Sequence, residues 1–259
     1  MPPDLAMPSP TAEAALPLSG PWRGALLRLA AIWTALIALF AEDWAKMFGQ
    51  WWNSSTYNHI LLVPAILAWL VWMRLPELRK LTPSNWWPAL LLVAGATFGW
   101  VLGAFAGFDL FRQAGAVALL PATALLLLGR KVGAGLIFPL AYMAFLVPFG
   151  DELVPLLQTI TAKLTIALVH LSGIPAQIDG VFINTPAGLF EVAEACSGVK
   201  FLIAMVALGV LIGNVGFKRW ERRIAFLALC VGGAGLANGV RARGTVFAAQ
   251  YVGGEKAAG

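Results

Sequence analysis

Charge is scarce in this chain. Only 12% of its 259 residues are Asp, Glu, Lys or Arg, against 59% hydrophobic, and an ordinary soluble domain carries about twice that share of charge. That imbalance excludes a water-soluble globular class. Cysteine is nearly absent as well: there are two, Cys196 and Cys230, the second inside an apolar run, which excludes a disulfide framework. The two histidines, His59 and His170, lack carboxylate or cysteine companions at ligand spacing, so no metal site is expected. The chain has no phosphate loop, no dinucleotide glycine fingerprint and no serine-centred elbow, and no cofactor is expected. Bases are missing from residues 1–22, which leaves that tail without the basic start of a cleaved signal peptide.

What is abundant points one way. Eleven Trp, 27 Gly and 16 Pro accompany a mean hydropathy of +0.78, and helices in lipid tolerate Gly and Pro while Trp collects at membrane interfaces. The class is an all-α polytopic membrane protein, with the lipid bilayer as its first partner. A spanning helix needs roughly 20 apolar residues, so this length allows about seven or eight spans. The net charge of +5 does not indicate nucleic acid, because the bases sit singly or in short groups at the ends of apolar segments.

Residues 1–22, rich in Pro, Ala and Ser, are expected to form a disordered cytoplasmic tail, and 23–259 a single transmembrane domain. Apolar windows predict spans near 24–41, 57–74, 86–106, 113–128, 132–149, 198–217 and 224–250. Arg23 and Arg28, Arg74 to Lys80, Arg130 and Lys131, and Lys218 to Arg223 fall between spans on one side, which the positive-inside rule makes cytoplasmic. The stretches 41–57 and 150–196 hold most of the acids and are expected outside. The fifth span then exits outside and the sixth must start there, so segment 152–171 should not cross. Its leucines share one helical face while Gln158, Thr161 and Thr165 lie elsewhere, as in an amphipathic helix lying in the outer interface; an interrupted span is the alternative. Val181–Asn184 and Leu189–Val192, parted by Thr185-Pro186-Ala187-Gly188, predict a small external hairpin.

Two residues carry chemical promise. Cys196 lies just ahead of the apolar run Val199–Gly213, at a helix N-terminus, where unpaired N–H groups and the macrodipole favour a thiolate, the nucleophilic form of sulfur. Cys230 sits mid-run, as inert packing cysteines do. Arg241 interrupts an apolar stretch at a depth where charge is costly and faces a polar cavity or partner. About 17 residues separate it from Arg223, some 25 Å of helix, which carries it to the outer half of the membrane, the level of Cys196. Asn238, one turn below, offers an amide to orient the guanidinium.

Glu194-Ala195-Cys196-Ser197-Gly198 followed by Asn238-Gly239-Val240-Arg241 resembles the paired motifs of the exosortases, polytopic bacterial transpeptidases related in mechanism to archaeosortases. The stretch from His59 into Pro64 and Trp72, and Val147-Pro148-Phe149-Gly150-Asp151, look most like the exosortase A branch, and the similarity runs from about residue 25 to the C-terminus. The resemblance implies a cysteine peptidase of the inner membrane, with its site on the periplasmic side. Its substrates would be proteins bearing a C-terminal PEP-CTERM signal, cleaved through an acyl-thioester and passed to an unidentified surface acceptor. It makes Cys196 the nucleophile and Arg241 the proton donor or oxyanion stabiliser, with Glu194, Ser197, Gly198 and Asn238 in support. It also implies a catalytic His shortly after the Asn-x-x-Arg motif. This sequence ends at Gly259 before one appears, so a C-terminally truncated form is expected, and neither His59 nor His170 aligns with the missing group. A transporter or channel subunit is the alternative reading; the lack of internal repeats and of paired intramembrane carboxylates counts against it. Labelling of Cys196 by a membrane-impermeant thiol reagent separates the two.

Overall fold

The computed structural model describes residues 20–171, 175–185, 188–193 and 196–252. The architecture is mostly helical, with seven helices long and apolar enough to cross a membrane by length and composition and one small three-stranded antiparallel sheet. The first helix, α1 (Gly20–Leu39), starts slightly earlier than expected. The cause is Trp22, which is buried and donates its indole N–H to the Leu81 carbonyl at 2.8 Å. Next, α2 (Ala41–Asn53) was not foreseen as a helix. Its buried residues Asp43, Met47 and Trp51 recur every fourth position, one stripe of a helix, while Glu42 and Lys46 face outward.

A 3₁₀ turn (Asn58–Leu62) leads into α3 (Val63–Leu78), and α4 (Leu90–Ala106) packs along α5 (Asp109–Gly135). Gly129 interrupts α5 with φ 85° and ψ 174°, a conformation open to glycine and costly for any side chain. The break strands carbonyls that would serve a continuing helix, and the Ser84–Trp86 loop takes them up: Ser84 N–H donates to Leu128 O (3.3 Å) and Trp86 N–H to Leu126 O (2.9 Å). The chain then doubles back through α6 (Ile137–Tyr142) and a 3₁₀ turn (Met143–Leu146). Tyr142, Met143 and Leu146 return to pack with Val117 and Leu120 of α5 in one buried cluster. This arm occupies the place of the span expected at 132–149.

The seventh helix, α7 (Val154–His170), with its 3₁₀ lead-in, counts among the seven by length and composition, whereas the expectation laid it in the interface. Its contacts run along the sheet β1 (Gln177–Asp179), β2 (Phe182–Thr185) and β3 (Gly188–Glu191). Gln158 Nε2 donates to Val192 O at 2.8 Å, Ala162 is buried with Ile183 and Val192, and the His170 ring lies 2.8 Å from Ala176 O. The hairpin pairs Thr185 with Gly188 as expected. The added strand, β1, pairs Asp179 with Phe182 and is too short to announce itself by alternation. Two long helices follow, α8 (Val199–Gly216) and α9 (Trp220–Val252), packed on each other.

The bundle has two chemically distinct ends. At one, Trp22 meets Leu81, Gly129 meets Ser84, and Arg74 and Asn214 line one cleft. At the other, Asp43 pairs with Arg112 (3.0 Å) and accepts from the Trp100 indole (2.8 Å), and Tyr57 O–H donates to Asp151 (2.7 Å). The predicted cytoplasmic bases gather at the first end.

Candidate active site

Cys196 lies where the chain leaves the sheet and enters α8. Its N–H donates to Ala193 O at 2.8 Å, and its half-buried side chain packs against the cluster of Ala162, Ile183 and Val192. Two residues on, Gly198 caps α8 in the left-handed region (φ 82°), and its carbonyl receives the Leu202 N–H at 3.0 Å. Glycine is required there twice over. A side chain would be strained by the backbone, and its Cβ would stand 2.7 Å from Cγ and Nδ2 of Asn238. Between the two, Ser197 is buried, and its Oγ accepts the Val199 N–H at 3.3 Å, occupying an amide at the start of the helix.

Asn238 is the junction of the site. Its side chain is 4% exposed, and all its printed bonds point at functional neighbours. Nδ2 donates to the Cys196 carbonyl (2.9 Å) and to Thr161 Oγ1 (3.0 Å), while Oδ1 accepts from Arg241 Nη2 (3.1 Å). One amide thus ties the nucleophile candidate's backbone to the cation candidate. The Arg241 guanidinium also sits 5.8 Å from the centre of the Phe201 ring on α8, within cation–π range. Asn238 and Arg241 are three residues apart on α9, hence on one face, and the helix delivers both to the mouth of α8. Gly239 makes the approach possible, since a Cβ there would collide with Leu164 of α7.

Thr161 is the partner that the sequence reading passed over. Its hydroxyl accepts from Asn238 and donates to Ser197 O at 3.3 Å, at 5% exposure. The available signal was the spacing of Gln158, Thr161 and Thr165, a polar stripe on an apolar helix: Gln158 serves the sheet and Thr161 the site. Tyr57 was also missed. Buried at 3% exposure, it bonds Asp151 of the Val147–Asp151 motif, whose Gly150 closely approaches Val199 and Ile203 of α8. Burial first, and the Asp151 bond second, push the Tyr57 hydroxyl pKa well above its usual value. That motif therefore braces α8 and does not enter the site.

The histidines lie elsewhere. His59 Nδ1 is 3.0 Å from Thr56 O before α3, and His170 is held by Ala176 O at the far end of α7. Cys230 is buried mid-helix against Gly209. Glu194 falls outside the described residues. The assembled parts are a half-buried thiol at a helix entrance and a guanidinium fixed by an amide that also grips the thiol residue's backbone. That combination suits nucleophilic attack on a carbonyl with a fixed cation nearby. No curated protein and no solved structure matches the chain. Residues 51–259, which hold every part of this site, match the model of the transmembrane exosortase family (Exosortase_EpsH), and the chain belongs to that family.

Proposed function

We propose that the chain is a membrane-embedded cysteine transpeptidase of the exosortase A branch, acting on exported proteins that carry a PEP-CTERM signal. The observation that carries this reading is the bridge through Asn238 from the Cys196 backbone to the Arg241 guanidinium. The Cys196 thiolate attacks the scissile carbonyl; a sulfur–carbon bond forms and the oxygen takes the charge. Arg241 stabilises that oxyanion or protonates the leaving amine, the carbon–nitrogen bond breaks, and an acyl-thioester remains. A nucleophile on the surface acceptor then displaces the thiolate and carries the chain away.

The site works on the periplasmic face of the inner membrane in this reading. The bases gather at the opposite end of the bundle, which the positive-inside rule assigns to the cytoplasm, and α7 lies along the outer interface beside the sheet that it touches at Gln158 and His170. The test is processing of a PEP-CTERM reporter in cells by the chain joined, after Gly259, to an exosortase C-terminal segment bearing the family's His. Cys196→Ala abolishes cleavage. Arg241→Lys loses most of it, because a compact ammonium cannot reproduce a planar fork seated on Asn238 and Phe201. Cys230→Ala cleaves normally. Cleavage by Cys196→Ala at matched protein level would remove the enzymatic reading and restore the transporter.

A further inference from the structure

Two furrows open on the lipid-facing side of the bundle, at the end opposite Cys196. One, of about 300 Å³, runs between α6, α8 and α9; its walls include Ala141, Gly213 and Leu227, and Trp220 and Arg223 stand at its end. The other, of about 310 Å³, runs between α3, α6 and α8 and contains Met73, Arg74 and Glu77. They share Phe138 and Asn214, so they meet at a single seam. The cause is local. Short α6 gives way to a 3₁₀ turn, and Gly213 puts no side chain into the gap.

The chemistry is graded along each furrow. Apolar walls lead to an arginine, and beside them Lys218, Arg219, Arg222 and Arg223 surround the single acid Glu221, already paired with Arg219 at 3.2 Å. Arg223 is preset: it donates to Phe217 O (2.8 Å) and Asn214 O (3.4 Å) and lies 5.9 Å from the centre of the Trp220 ring. Trp at such a level marks the headgroup region.

We propose that this seam binds an anionic glycerophospholipid, one acyl chain in each furrow and the phosphate between Arg223 and Arg74. Two furrows of matched size joined at one point fit a two-tailed molecule, and the excess of positive charge at the join selects its anionic headgroup. The site is independent of the thiol chemistry and does not rest on it.

Native mass spectrometry tests this on the full chain, released from vesicles of equal phosphatidylglycerol and phosphatidylcholine. The wild type retains phosphatidylglycerol about fivefold over phosphatidylcholine, the factor expected from one well-placed base. Gly213→Leu fills the first furrow and brings the ratio to about one; the backbone tolerates it, since a Cβ there would meet nothing closer than 3.8 Å. Ala141→Leu, from the opposite, exposed wall, does the same and serves if the first variant fails to fold. Arg222→Gln, at the same end but outside the lining, keeps most of the preference. Added inorganic phosphate does not displace the lipid. Equal retention of the two lipids in the wild type, an unchanged ratio in a folded furrow-filling variant, or displacement by phosphate would overturn the proposal.

Discussion

Replacing Gly198 by Ala tests the central contact of the site. The change has two separable costs. The backbone at φ 82° disfavours any L side chain by about 1–2 kcal/mol. The new Cβ would also stand 2.7 Å from Cγ and Nδ2 of Asn238, so the amide must move from its bonds to Cys196 O, Thr161 Oγ1 and Arg241. At about 1 kcal/mol for each bond lost, the whole penalty is about 3–5 kcal/mol. In an Asn238→Ala background the amide is gone, and Gly198→Ala should cost little more than the backbone part, about 1–2 kcal/mol. Denaturant unfolding of the four proteins of this cycle, in one mild detergent, measures the difference. Equal penalties in both backgrounds would refute the packing of Gly198 on Asn238, and with it the amide bridge between Cys196 and Arg241.

Thr161→Val should lower kcat for reporter cleavage by about tenfold or more with little change in KM, because the displaced amide misplaces Arg241 in the transition state, while Thr161→Ser keeps the hydroxyl and restores most of the rate. Equal loss in both variants would make Thr161 a packing residue only. Tyr57 stays neutral in the fold at a pH where an unfolded tyrosine, with pKa near 10, ionises. Its stabilising contribution is therefore complete below about pH 10 and lost as pH rises beyond it. The stability gap between wild type and Tyr57→Phe should narrow in that range, and a constant gap across it would contradict the assignment. Reporter fusions at Gly216 and Asp179 should read cytoplasmic and periplasmic respectively; a cytoplasmic signal at Asp179 would place Cys196 on the wrong side for an exported substrate.

The sequence by itself determined the features that depend on composition and local spacing. A chain with so little charge and so many apolar runs must meet its backbone hydrogen bonds within helices, so the class and most span positions were legible. So was the turn at Arg130 and Lys131, since basic residues between two apolar runs mark a membrane boundary. The hairpin register followed from Thr185 and Gly188. Asn238 and Arg241 could be paired in advance because three residues on a helix bring side chains to one face.

Tertiary structure alone decided what crosses from one element to another. That Gly129 is a true interruption shows only in the Ser84–Trp86 loop that takes the freed carbonyls. The stripe of α2 is read as buried once α5 covers it, for Asp43 is an unremarkable surface acid until Arg112 and Trp100 reach it. Thr161 lies 77 residues from Asn238, on a helix whose periodicity spoke only of amphipathicity. No local pattern contains a hydrogen bond between helices so far apart in sequence. Such bonds depend on how closely backbones approach, which here rests on the missing side chains of Gly198 and Gly239.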